Sequence, residues 1–212
     1  MKIAHLIPAS FEYFEDIKGE AFALVEAQSN LGMEVEAFTL QFGRVSVAAL
    51  DGAGEGTQRF ISRKFSGKMS FSDVLFGLSG FQVVHVHCPF FGGIQKILKW
   101  KANNPNIVLV VSFYHLIPVT DLFSYLVRWY NSLVLPKLFR VADLVTTISP
   151  EEVPKSLKRM AKLYIPMDYG PEFAGGDFSE VNGYRLKPEE RLGVKLMLIY
   201  QEIFDELTNK KT

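Results

Sequence analysis

The chain has little of several things that would have narrowed its chemistry at once. A single cysteine, Cys88, excludes an internal disulfide and any cysteine-based zinc site. No sign of charge dominates: 23 Lys and Arg stand against 23 Asp and Glu, so no global field favours nucleic acid or an anionic membrane. No apolar run approaches the roughly 18–20 residues needed to cross a bilayer. Internal repeats, low-complexity tracts and clusters of metal ligands are not apparent along the chain. The opening residues, Met1-Lys2-Ile3-Ala4-His5, enter an apolar run without the charged and apolar regions of a signal peptide. The expectation is a soluble, cytoplasmic protein with no transmembrane segment, no nucleic-acid partner and no metal.

What is present is an apolar content of 48% in 212 residues, enough for one domain with a sizeable core and an appendage. Four short apolar runs, residues 2–8, 82–89, 108–115 and 143–149, each end in a polar or turn-forming residue. Runs of this kind read as strands of a parallel sheet buried on both faces, with His, Ser and loop residues along one edge. The first strand is followed by a loop at 9–18 carrying Phe11, Tyr13 and Phe14, then a helix over 19–31 closed by Gly32, then a strand at 34–40. This is a βαβ unit.

Residues 41–57, rich in Gly and small residues, read as a loop, with a short strand near 59–63 and a helix at 71–78. Strands at 81–87, 107–112 and 144–148 alternate with a helix at 92–102 and an aromatic-rich helix at 121–141, interrupted near Pro136. Ser149-Pro150-Glu151-Glu152 has the form of a capping box opening a helix. A last strand falls at 162–166. Residues 174–187, with Gly175-Gly176, read as a linker. A terminal helix then begins at Lys187-Pro188-Glu189-Glu190, and its stripe of Leu192, Leu196, Ile199, Ile203 and Leu207 must dock on something apolar.

Among reactive side chains, His115 and His87 fall at strand ends. His5 lies mid-strand and His85 is assigned to the face opposite its alternate neighbours, both packed or hydrogen-bonded. Ser149 serves as a cap bordering the same edge, and Cys88 as an inert packed thiol. Lys96, Lys99, Trp100 and Lys101, with Phe123, Tyr125, Trp129 and Tyr130, read either as a membrane-facing or lipid-facing cluster or as a solvated lysine face beside a packed helix. Ala53-Gly54-Glu55-Gly56 follows no strand and opens no helix, which rules out a dinucleotide fingerprint.

The ordered set Met1–His5, Lys18-Gly19-Glu20, Leu31–Val35, Val83-Val84-His85-Val86-His87, Val111-Ser112-Phe113-Tyr114-His115, Ala142–Val145 to Ser149, and Ile165-Pro166 resembles the N-terminal domain of GT-B retaining glycosyltransferases of family 4. The resemblance covers roughly residues 1–173 and implies an α/β fold: one Rossmann-like domain, a mostly parallel sheet flanked by helices, with the helix of residues 188–212 packed on it. It also implies an acceptor-binding domain facing a separate donor-binding one. His115 then matches the family's active-site histidine near the transferred sugar. Lys18, Gly19 and Glu20 would approach the donor phosphates, aided by helix N–H groups.

Here Met167-Asp168-Tyr169-Gly170 replaces the family's Asn-Gly-Val-Asp, and the expected donor domain of about 150 residues does not follow. No cofactor is expected, and a nucleotide-sugar donor only together with a second domain. The implied partners are a donor-domain polypeptide or a second copy meeting an exposed cleft edge around Phe11–Phe14 and Phe90-Phe91, and a glycan or lipid-linked acceptor. Peripheral membrane contact is a separate expectation, drawn from the basic and aromatic cluster of residues 96–101 and 123–130. Three readings stay open: a stranded half of a transferase, natural or excised; a non-catalytic binding or regulatory module; and another Rossmann-like enzyme using His115 and the Gly19 loop.

Overall fold

The computed structural model describes residues 1–8, 15–39, 78–90, 94–116, 124–167, 172–173, 176–177, 180–181 and 184–209. The expected loop at 41–57, the strand near 59–63, all but the last residue of the helix at 71–78 and the aromatics Phe11, Tyr13, Phe14 and Phe91 lie outside the described residues. One six-stranded parallel sheet carries the fold, in the order β2-β1-β3-β4-β5-β6. Its strands are β1 Lys2–Ile7, β2 Glu34–Thr39, β3 Val83–Cys88, β4 Val108–Phe113, β5 Leu144–Thr147 and β6 Tyr164–Pro166. The chain moves from β1 outward to β2, then returns across β1 to β3. The strand order therefore reverses between β1 and β3, where open α/β sheets form a crevice beyond the carboxyl ends.

The strands are continuously apolar because helices cover both faces. Ile3 and Ile7 of β1 face a layer formed by α1 Glu15–Asn30 and α6 Pro188–Asn209. Ala4 and Leu6 face the opposite layer. That layer contains α2 Ile94–Asn103, α3 Ser124–Trp129 and α4 Leu135–Val141, with Leu157 of the short α5 Lys155–Lys158.

Local chemistry sets the element ends. Gly32, at φ 82°, closes α1, with Gly32 N–H donating to Ser29 O at 2.9 Å and Met33 N–H to Gln28 O at 3.1 Å. The expected break near Pro136 is a π turn, Tyr130–Val134, between α3 and α4. Proline offers no N–H to the carbonyl four residues back, and the ladder widens just before it, Leu135 N–H reaching Tyr130 O. The capping box at Ser149 does not form. Its side chain makes no cap bond, and Pro150–Glu152 is a single 3-10 turn. Pro154 explains this by holding Val153 extended at φ −81°, ψ 117°, so the turn cannot propagate.

Two short antiparallel pairs follow β6. Glu172–Phe173 pairs antiparallel with Gly176–Asp177, and Glu180–Val181 with Tyr184–Arg185.

The terminal helix docks as its stripe requires. Glu190 Oε2 accepts the Lys187 N–H at 2.8 Å and secures the first turn. A Cβ at Gly193 would lie 3.2 Å from Leu31 Cδ1, so the bare backbone lets α6 approach α1 closely. Leu192, Leu196 and Ile199 are buried, each contributing about 1.5–3 kcal/mol. Tyr200, fully buried, places its hydroxyl 2.7 Å from His85 Nδ1 on β3.

At the amino end of the sheet Lys101 and Asp143 form a buried ion pair at 2.6 Å. Asp143 also accepts the Leu109 N–H at 2.9 Å, and Lys101 donates to Ile107 O at 2.6 Å. This corrects the reading of Lys96–Lys101 as an outward cluster, since Trp100 and Lys101 face inward and serve the core.

If α6 is held through Tyr200, Tyr200→Phe leaves His85 short of a partner. The substitution is expected to lower stability by about 1–3 kcal/mol, read as a shift in the urea midpoint. An unchanged midpoint would show that the hydroxyl contributes nothing to docking.

Candidate functional site

The strand ends that mark the edge in sequence do line one edge of the sheet. Pro8, Pro89, Tyr114-His115 and Ile148-Ser149 follow β1, β3, β4 and β5 directly. His115 lies half-buried two residues beyond β4. Ser149 sits beyond β5, its N–H donating to Thr147 Oγ1 at 3.1 Å.

Gly19 does not fall in a loop. The helix begins at Glu15, which makes Gly19 its fifth residue. At that position the N–H points back to the carbonyl four residues earlier and is not available to a phosphate. Lys18 lies within the same helix. Glu20 is half-buried and lines a cavity of about 20 Å³ with Leu24, Ser112, Tyr114, Thr146 and Met167. That space admits about one water and no sugar. A wider hollow of about 440 Å³ opens at the opposite, amino edge, where Lys2 is already paired with Glu34 and Glu36.

The main polar feature lies beneath the edge. His5, His85 and His87 are fully buried on the face covered by α1 and α6. His5 pairs in register with His85 across β1 and β3. His85 and His87 stack at 4.4 Å between ring centroids, so they share one face and the opposite-face assignment of His85 is corrected. His87, expected at the edge, is interior.

The partners form a chain. Gln28 Oε1 can only accept, so His5 carries its proton on Nε2 and donates at 2.8 Å. His5 Nδ1 then accepts from His87 Nε2–H at 2.9 Å. His87 Nδ1 in turn accepts from the Tyr114 hydroxyl at 2.9 Å. His85 lies between Ser112 Oγ and the Tyr200 hydroxyl, 2.7 Å from each. Tyr114, half-buried and next to His115, links this interior to the edge.

Burial disfavours charge throughout the network. It holds His5 down to about 4, against the opposing pull of Gln28. Burial first, then His87 and His5, keep His85 well below its ordinary value. Burial and then His5 do the same to His87. The Cys88 thiol is pushed up to about 12 by burial, as expected for an inert packed cysteine.

The gathering of three imidazoles corrects the expectation that metal ligands are nowhere clustered. Their nitrogens spread over as much as 4.8 Å, wider than the roughly 4.2 Å spanned by two Zn–N bonds. Every ring nitrogen is also engaged in a hydrogen bond. As arranged, the cluster is a hydrogen-bonded interior and not a cation cradle.

Two signals for it were present in sequence. Gln28 extends the apolar stripe Ala21, Leu24 and Val25 of α1, and Tyr200 lies on the stripe of α6. A polar group on a buried stripe requires a partner. The identity of that partner depends on strand register.

No family model and no curated protein sequence matches the chain. Among solved structures, an alpha-glucosyltransferase in complex with UDP and a 13-mer DNA containing a HMU base is similar at TM-score 0.49 and 15% identity, over 80% of this chain and 43% of that one. An alpha-glucosyltransferase in complex with UDP gives 0.47 and 14%, over 80% and 45%. A possible 1-phosphofructokinase from Thermotoga maritima gives 0.45 and 11%, over 79% and 72%. The chain thus spans less than half of the glucosyltransferases. Likeness at this level extends to a kinase-named protein as well and does not discriminate between activities.

The imidazoles make stability pH-dependent with a definite sign. The unfolded chain takes up their protons as pH falls through about 6.5, whereas folded His5 resists until about 4. The unfolded state binds more protons in that window, so stability falls as pH drops from about 7 toward 4. Urea midpoints across this range should decline, and His5→Asn should flatten the slope. Nitrogen-correlated NMR at neutral pH should show His5 and His87 both as Nε2–H tautomers.

Proposed function

We propose that the chain is the acceptor-side half of a nucleotide-sugar-dependent glycosyltransferase of the family-4 GT-B type, working with a separate donor-binding domain. The observation that carries this reading is the return of α6 onto α1 and the sheet, through Tyr200 to His85. It completes the domain that the ordered strand-end motifs resemble. The cavity at the carboxyl edge lined by Glu20, Ser112 and Thr146 is, by contrast, water-sized. A sugar and a diphosphate need a second wall there. In this role His115 hydrogen-bonds the transferred sugar as the bond between its anomeric carbon and the diphosphate breaks and an acceptor hydroxyl takes its place.

Two parts of the expected site are revised. The donor phosphates fall to the donor-binding domain in this reading, since Gly19 is internal to α1. Self-association through Phe90 is withdrawn, because Phe90 is buried with its N–H donating to the Tyr130 hydroxyl at 2.9 Å. No helix of the described residues is long and apolar enough to cross a membrane.

The test uses radiolabelled nucleotide-sugars and glycan acceptors, with this chain alone and with a co-expressed donor domain encoded nearby. Transfer is expected only from the pair, and His115→Ala should reduce it by about 10²-fold or more. Transfer by the isolated chain would contradict the reading. A stable complex without turnover would identify a regulatory module instead.

A further inference from the structure

The helix between β4 and β5 exposes a row of large side chains that the core does not use. Tyr125, Trp129 and Leu133 are 84%, 47% and 54% exposed, while Val127, Tyr130, Val134 and Leu138 of the same segment are buried. The row recurs every four residues. Such a step overshoots an α-helical turn of 3.6 residues, and the wider π turn Tyr130–Val134 absorbs the overshoot and keeps Leu133 in line with Trp129. Exposed Arg128, Lys137 and Arg140 accompany the row, and residues 124–141 contain no Asp or Glu. In a chain with 23 charges of each sign, this is a local concentration of positive charge. α2, packed against α4, adds exposed Lys99.

We infer that this face binds the surface of an anionic lipid bilayer, with Tyr125, Trp129 and Leu133 entering the headgroup region and Arg128, Lys137 and Arg140 meeting lipid phosphates. Tyrosine and tryptophan suit that boundary because each joins an apolar ring to a polar tip. Each basic residue near an anionic surface strengthens binding roughly fivefold. The charge argues against a second copy as the occupant, since a two-fold contact would set the basic residues of one copy against those of the other. It stands apart from the proposed sugar transfer, as neither His115 nor the carboxyl edge enters it.

Vesicle flotation of the full chain tests the surface, comparing phosphatidylcholine alone with phosphatidylcholine containing phosphatidylglycerol. Tryptophan fluorescence gives a second readout, because the chain has two tryptophans and Trp100 is buried. Binding to the anionic vesicles only, a blue shift from Trp129 and weakening by salt are expected. The triple variant Arg128→Gln, Lys137→Gln, Arg140→Gln should bind on the order of a hundredfold more weakly. Trp129→Ser should also bind less, with its thermal unfolding unchanged. Equal binding to both vesicles, no binding to either, or an undiminished triple variant would overturn the inference. So would a lipid-independent dimer abolished by Trp129→Ser.

Discussion

The fold depends on keeping three imidazoles neutral and fully hydrogen-bonded inside the sheet's helical cover. Buried polar groups are tolerated only when partnered, and here the partners come from separate elements. Gln28 on α1 holds His5, Tyr200 on α6 holds His85, and Ser112 and Tyr114 reach over from β4. The bonds from Gln28 and Tyr200 each fix a helix at a particular rotation and height on the sheet. Apolar contacts could bury the same helices, but they would specify that position less sharply.

This arrangement separates the buried interior from the carboxyl edge of the sheet. His5, His85 and His87 are occupied with one another and closed to ligands, which leaves His115 as the one histidine at the edge. Tyr114 connects the two levels, since its hydroxyl proton is directed inward to His87 while its neighbour His115 lies at the sheet edge. The network therefore sets the end of β4 and with it the position of His115. The buried Lys101–Asp143 pair fixes the opposite end of the same strands, so β4 and β5 are pinned at both edges.

The two faces of the sheet are finished differently. On the α1 and α6 face a polar network lies between strand and helix. On the other face α2, α3 and α4 pack mainly by apolar contact, with Phe113 and Phe139 meeting edge to face at 5.6 Å, and polar bonds such as Lys101–Asp143 and Phe90 N–H to Tyr130 lie around that contact. The polar requirement ties the terminal helix down on the first face. The second face can carry a helix whose outer side is aromatic and basic, because its inner side is already satisfied by Val127, Tyr130 and Leu138.

Much was legible in the chain itself. Continuous apolar runs ending in polar residues determined a parallel sheet with its polar strand ends along one edge, Gly32 determined where α1 stops, and the leucine stripe determined that the last helix must dock. These are local consequences of periodicity and backbone freedom, and they need no knowledge of neighbours. The structure alone decided what depends on register and on competition between signals. The pairing of His5 with His85 follows from strand alignment, and Gly19 lost its loop when the helix began four residues early. Ser149 lost its cap because Pro154 stopped the turn. Side chains far apart in sequence meet only after the sheet has set their height, so the imidazole network became visible only in three dimensions.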